Sequence, residues 1–385
     1  TSKSLATKAA AMSRGRLPLV LGLAFVLLCR LALYLQMPDR ATDFDLLYQA
    51  AVRLIRSEAL YPEGATGFLY PLPAILLAVP FTIVPLALAR PIFDLLVGWA
   101  FVYALWKYRG PYALLALGSG AYFFALLHGQ TTPLIVAASM VPALGFLLAV
   151  RPNTAVPLWS MRPSWPALLG AAGLLLLSVA IQPTWPFDWW MALPADMTPM
   201  RPPILRPLGF LLLLAAFRWR WREGRLLLAT AFLPQTTLPY ELIPLALIAT
   251  TWGEMAVFVV GSWLVVGAAQ RLDLSQGMVE WNYAGWTVTL AAVYLPMLYV
   301  VLRRQISIKK ISFWKERRRA NRLPDEELKV DVRTNEGGGC TATVTHLPTG
   351  LSASETGPAR DTTLRKAHDK LASLMARTER LKKPA

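Results

Sequence analysis

Thr42-Asp43-Phe44-Asp45-Leu46-Leu47-Tyr48-Gln49-Ala50-Ala51 puts two carboxylates at the start of an amphipathic segment, directly after a hydrophobic run. Leu60-Tyr61 and Tyr70-Pro71 follow. A carboxylate at a membrane surface can take a proton from an attacking hydroxyl. Other chemistry-bearing residues are sparse: His128 with Gly129-Gln130, Pro239-Tyr240-Glu241, and Trp185, Trp189 and Trp190 around Asp188. Ionisable residues beside apolar spans are functional candidates by default. Each also has a plainer reading. Both aspartates and Glu241 would favour a helix N-terminus electrostatically. Gly129 could end a helix in the left-handed conformation, and tryptophans gather at membrane interfaces.

The element carrying the first pair reads as a helix over 43–57. Thr42 is its expected N-cap, with Asp45 closing a capping box. Phe44, Leu47, Tyr48, Ala51, Leu54 and Ile55 share one face, and Asp45, Gln49, Arg53 and Arg56 form the polar stripe opposite. Asp43 shares a side with Leu47, Ala50 and Leu54, which is costly without a role or partner.

The chain has 385 residues, 55% hydrophobic and 16% charged, with mean hydropathy +0.43. That charge content is low for a soluble protein. Ten of the 23 acids lie in the last eighty or so residues. The expected organisation is an N-terminal cytosolic segment 1–16, a membrane domain 17–303, a basic linker 304–327 and a small α+β cytosolic tail 328–385. The first span is read as an anchor and not a cleaved signal. The net charge of +16 follows from basic cytoplasmic loops; a nucleic-acid reading would concern the tail alone. Cys29 and Cys340 form no disulfide framework and no metal spacing.

Ten apolar segments are expected to cross: 17–36, 91–106, 111–127, 131–149, 164–182, 204–218, 224–235, 238–252, 255–270 and 282–302. Segment 69–86 holds Pro71, Pro73, Pro80 and Pro85 and reads as a surface or re-entrant piece. With it outside, Lys107–Arg109, Arg151, the run 218–225 and Arg303-Arg304 all fall inside, and both termini are cytoplasmic. The outer face then collects loops 37–68, 128–130, 184–202, 235–241 and 271–281, the last with Asp273 and Glu280. An active or binding site is expected there. No P-loop, glycine-rich strand-to-helix turn, His-Glu-x-x-His or Gly-x-Ser-x-Gly is present. An enzyme of this kind would need a substrate already activated in the lipid.

The run Asp43-Phe44 through Tyr48-x-Ala50-Ala51, Leu60-Tyr61 and Phe68-x-Tyr70-Pro71-x-Pro73 resembles the first outer loop of glycosyltransferase family 87. Gly129-Gln130, Arg151-Pro152-Asn153-Thr154 and Pro239-Tyr240-Glu241 are similar to later landmarks of that family. The chain departs from it at Arg56-Ser57-Glu58, where glycine is usual, and at Pro71-Leu72-Pro73, where two adjacent prolines are usual. The resemblance implies a GT-C fold in a bacterial plasma membrane. It implies a polyprenyl-phosphate sugar donor, often the mannose form, and a lipid or glycan acceptor; no cofactor and no metal-ligating residues are expected, and a metal requirement stays open. It assigns Asp43 as general base. Substrate contacts are then expected from Asp45, Tyr48, Arg53, Tyr70, His128, Gln130, Tyr240 and Glu241. A non-catalytic subunit that keeps the scaffold is the alternative; a transporter lacks the inverted repeat it would need. In the tail, 328–332, 341–346 and 351–354 read as strands around a Gly337–Gly339 turn, and 362–381 as a helix capped by Asp361. Val344-Thr345-His346-Leu347-Pro348-Thr349-Gly350 resembles a run in peptide-chain release factors, but Gly338-Gly339-Cys340 replaces their catalytic Gly-Gly-Gln. A protein-docking or RNA-contacting role is expected for it, not peptide release.

Overall fold

The computed structural model describes residues 2–37, 40–61, 70–193, 200–271, 285–304, 328–334 and 340–357, with positions 363, 367, 370, 371 and 374. Side chains before residue 16 are outside that description. Phe68, loop 271–281 beyond Arg271, the linker 305–327, the Gly337–Gly339 turn and Asp361 lie outside the described residues. The chain separates into two units, Thr1–Arg303 and Arg304–Ala385.

Among its described residues the first unit is mostly helical. It runs through α1 Ser2–Gln36, α2 Asp43–Ile55, α3 Leu72–Ala78, α4 Leu86–Tyr108, α5 Gly120–His128, α6 Thr132–Met140, α7 Pro152–Met161, α8 Trp165–Ile181, α9 Trp185–Ala192, α10 Arg222–Phe232, α11 Trp252–Arg271 and α12 Gly285–Arg303. Short 3-10 helices fill the gaps at Val79–Ile83, Pro111–Gly118, Pro142–Val150, Gly209–Arg218 and Pro239–Ile248. Most of them open on a proline, whose missing N–H costs nothing at a helix start.

Among the described residues, four helices are long and apolar enough to cross a membrane: Arg16–Gln36 within α1, α4, α11 and α12. The count rises to six if the bent pairs Pro111–Gly118 with α5 (60°) and α8 with α9 (92°) each make one span. This corrects the expected ten. Segments 204–218, 224–235 and 238–252 are represented by helices of 10, 11 and 10 residues. A perpendicular crossing takes about twenty.

Segment 131–149 is a different case. Its two halves, α6 and the Pro142–Val150 helix, pack on each other, and Arg151 at its far end bonds Gln130 at its near end. The segment therefore doubles back at Val141-Pro142 and does not cross. The other basic landmarks do share an end. Arg109 donates to the carbonyls of Leu247 and Ala249, Arg303 pairs with Glu254, and Arg218 donates to the Leu302 carbonyl. Arg151 is the exception, and lies with the polar loops instead.

Helix α2 begins where its cap predicts. Asp45 accepts the Thr42 backbone N–H at 2.6 Å and the Thr42 hydroxyl at 3.0 Å. Its buried face is Phe44, Asp45, Leu47, Ala50 and Ala51. Phe44 stacks on Phe93 of α4 with centroids 4.1 Å apart, and Phe81 meets both rings edge-on. Segment 72–83 is helical: Leu72, Pro73, Ala74, Ile75 and Ala78 are buried, against α2, α8 and the Pro142–Val150 helix, whereas Val79–Ile83 buries no residue. Two ion pairs fix α4 in place. Arg90 makes a two-pronged contact to Asp45, 2.9 and 2.8 Å, and Asp94 one turn later pairs with Arg30 of α1.

The second unit holds an antiparallel sheet, β1 Leu328–Thr334, β2 Cys340–His346 and β3 Ser352–Gly357, in the order β1-β2-β3. The strand pattern alternates along β2, so Ala342 and Val344 face inward with Ala353, Ala367 and Leu371. The described positions 363, 367, 370, 371 and 374 are helical.

The Arg90–Asp45 pair is buried, so removing one partner strands the other charge. Asp45→Ala is expected to cost on the order of 3–5 kcal/mol, read as a lowered melting temperature of the purified protein. Glu58→Ala, which removes the exposed Arg56–Glu58 pair, is expected to cost under about 1 kcal/mol.

Candidate functional site

Asp43 sits in the first turn of α2, half-buried. Two donors hold its Oδ2: the Tyr70 hydroxyl at 2.5 Å and the Gln130 side-chain amide. Among the described residues Oδ1 has no hydrogen-bond partner. The carboxylate is thus fixed in orientation through one oxygen.

Gln130 is fixed in turn. Its Oε1 accepts from Arg151 Nη1 at 2.8 Å, and the same nitrogen donates to Thr132 Oγ1 at 3.0 Å. Arg151 Nη2 pairs with Glu241 Oε1 at 2.6 Å, and the guanidinium lies 5.2 Å from the Tyr240 ring centroid. Five chain segments thus meet in one network: the start of α2, Tyr70 before α3, the turn after α5, Arg151 before α7, and the start of the Pro239–Ile248 helix. Glu241 is 4% exposed, a depth at which a lone carboxylate would not stay ionised, so Arg151 is its necessary partner.

The local backbone explains why these segments can approach. Helix α5 is capped at its N-terminus by Ser119 and ends at Gly129, φ 60°, in the left-handed conformation. A Cβ at Gly129 would lie 2.9 Å from the Thr42 Cβ. Glycine therefore does two things. It turns the chain so that Gln130 faces Asp43, and it lets the α2 cap press against the α5 end.

Electrostatics hold the donors in their protonated forms. Burial, then the Asp43 charge, push the Tyr70 phenol well above its ordinary value, so it stays a donor. Burial works to lower the Arg151 guanidinium, but Glu241, Tyr240, Tyr70 and Asp43 outweigh it and raise it above its usual value. The network is therefore a carboxylate held by neutral donors and backed by a compensated ion pair.

The structure sorts the expected residues into two groups. Asp43, Tyr70, Gln130, Tyr240 and Glu241 converge. His128 borders them: its ring packs on Phe124, 4.3 Å between centroids, and Phe124 lies 6.2 Å from Tyr240. Asp45, Tyr48 and Arg53 do not converge. Asp45 is turned away from the polar stripe expected for it and belongs to Arg90. The Tyr48 hydroxyl donates to the Val84 carbonyl at 2.8 Å, tying α2 to the 79–83 helix. Arg53 makes no side-chain bond to the cluster among the described residues. In the tryptophan-rich segment, Trp185 is buried and Asp188 accepts from Gln182 and Thr184; Trp190 is the open ring, 69% exposed. Arg151, expected on the opposite face, is the central residue that sequence reasoning misplaced. Its signal was Glu241: a carboxylate in an apolar run needs a cation, and Arg151 opens one of the landmark loops.

Gly129→Ala is expected to cost roughly 1–2 kcal/mol from the left-handed backbone alone, with more from the Thr42 contact. The check is a melting temperature lower than that of Gly253→Ala, where a Cβ meets nothing within 4 Å. No protein-family model, no curated protein and no solved structure matches this chain.

Proposed function

We propose that the chain is an integral membrane glycosyltransferase acting on a polyprenyl-phosphate sugar, mannose in the first instance, with Asp43 as general base. The observation that carries the reading is the Asp43 carboxylate itself: Oδ2 is anchored by Tyr70 and Gln130, while Oδ1 has no hydrogen-bond partner among the described residues. An anchored base with one free lone-pair face is the geometry general-base catalysis asks for.

In the proposed step, an acceptor hydroxyl on a lipid or glycan gives its proton to Asp43 Oδ1. Its oxygen forms a bond to the anomeric carbon, and the bond from that carbon to the phosphate oxygen breaks. The polyprenyl phosphate leaves with the electron pair, and the configuration inverts. Tyr70 and Gln130 hold the carboxylate on its line of approach. Arg151 and Glu241 hold Gln130. The setting is a bacterial plasma membrane, and the chain's apolar helices support a membrane location. The C-terminal unit, with its own small core, is proposed to dock a protein or RNA partner.

A second reading has one observation in its favour. The same network bridges five segments and would clamp the bundle with no substrate at all, as in a non-catalytic subunit of a larger complex.

Sugar transfer from radiolabelled polyprenyl-phosphate mannose to membrane lipid extract separates the two. Asp43→Asn is expected to lower the rate by about 10²–10⁴, with insertion and melting temperature preserved. Tyr70→Phe is expected to lower it less, because Gln130 remains. Equal rates in wild type and Asp43→Asn would remove Asp43 from the mechanism. No transfer by wild type from any of several donors would favour the subunit reading.

A further inference from the structure

Three arginines line a cleft of about 50 Å³ between the C-terminal part of α1, the N-terminal part of α4 and the Thr42 cap of α2. Arg30 and Arg90 are already paired, with Asp94 and Asp45. Arg40 is not. Its guanidinium contacts only Met37 Sδ and His128 Nε2, each at 3.5 Å, and no carboxylate among the described residues. Among the described residues, the three arginines and two aspartates leave one positive charge in excess.

Arg40 is only partly buried, and a partly desolvated guanidinium gains from an anion beside it. The volume admits a group of about three or four water volumes, the size of a tetrahedral oxyanion. Guanidinium forks match phosphate oxygens, and the low-dielectric surroundings strengthen the contact. The two helices that wall the cleft also carry exposed apolar side chains on their flanks: Leu31 and Leu35 on α1, Leu88 and Ile92 on α4. Both helices are candidate membrane spans. A free phosphate would leave those flanks bare, whereas a lipid would cover them with its chains.

We propose that this cleft seats the phosphate of an anionic bilayer phospholipid, with Arg40 supplying the unbalanced charge and the acyl chains lying along α1 and α4. The site does not depend on sugar transfer. A lipid held there would lie against the Thr42 cap of α2.

The test is lipid retention by the purified full chain, measured by native mass spectrometry after exchange into detergent containing phosphatidylglycerol. Wild type is expected to retain one phosphatidylglycerol. Arg40→Gln is expected to retain at least tenfold less at an unchanged melting temperature, since Arg40 carries no ion pair. Leu127→Trp, which fills the cleft without altering charge, is expected to lose the lipid as well. Arg53→Gln and Asp43→Asn should retain it as wild type does, so failure of the transferase reading leaves this result intact. Retention by Arg40→Gln equal to wild type would overturn the proposal, as would equal loss in Arg53→Gln. Displacement of the lipid by millimolar inorganic phosphate would show a free-oxyanion site and overturn the lipid assignment.

Discussion

One buried guanidinium organises the polar end of the helical unit. Arg151 meets an amide, a hydroxyl, a carboxylate and an aromatic face at once. Each partner comes from a different stretch of chain. Because a charge at such depth is tolerated only when compensated, the positions of Gln130, Glu241 and Tyr240 are coupled through it. Asp43 inherits its orientation from that coupling, since Gln130 can aim its amide at the carboxylate only while its carbonyl is held by Arg151. Removing this cation would disturb several elements together.

The second constraint is the charged face of α4. Arg90 and Asp94 lie four residues apart, on one side of the helix. They reach in different directions, one to Asp45 of α2 and the other to Arg30 of α1. These pairs set the register between the first membrane helix and the helix that carries Asp43. The cap at Thr42, the Phe44–Phe93 stack and the Arg90 fork therefore converge on the first turn of α2, which explains how a short helix outside the longest spans can hold a side chain steady.

What the sequence makes legible here is local. The α2 start, its capping carboxylate, the glycine at the α5 end and the three tail strands follow from rules that act over a few residues, and the structure shows each of them. Partnerships over long separations are not written in periodicity. Asp45 looks like part of a polar stripe until Arg90, forty-five positions later, folds onto it. Arg151 looks like an ordinary loop cation because the positive-inside rule counts charges without asking what they bond. Arg109, Arg218 and Arg303 do gather at one end of the bundle. Arg151 does not, because a proline at 142 lets an apolar run turn back. Apolar composition likewise counts ten segments, but helix length decides which of them can cross, and several are too short.

Arg151 and Glu241 are ninety residues apart in the chain. A ribosome adding about 5–20 residues per second takes roughly five to twenty seconds to cover that distance. Throughout that interval the guanidinium exists without its counter-charge, at a point where helices are already entering the bilayer. An arginine in that position is expensive to bury, so the Thr132–Val150 hairpin that leads to it has reason to stay near the water until the Glu241 segment emerges. The distance between two side chains thus bears on the order in which the bundle closes, because the network around Asp43 is complete only once the Glu241 segment has been made.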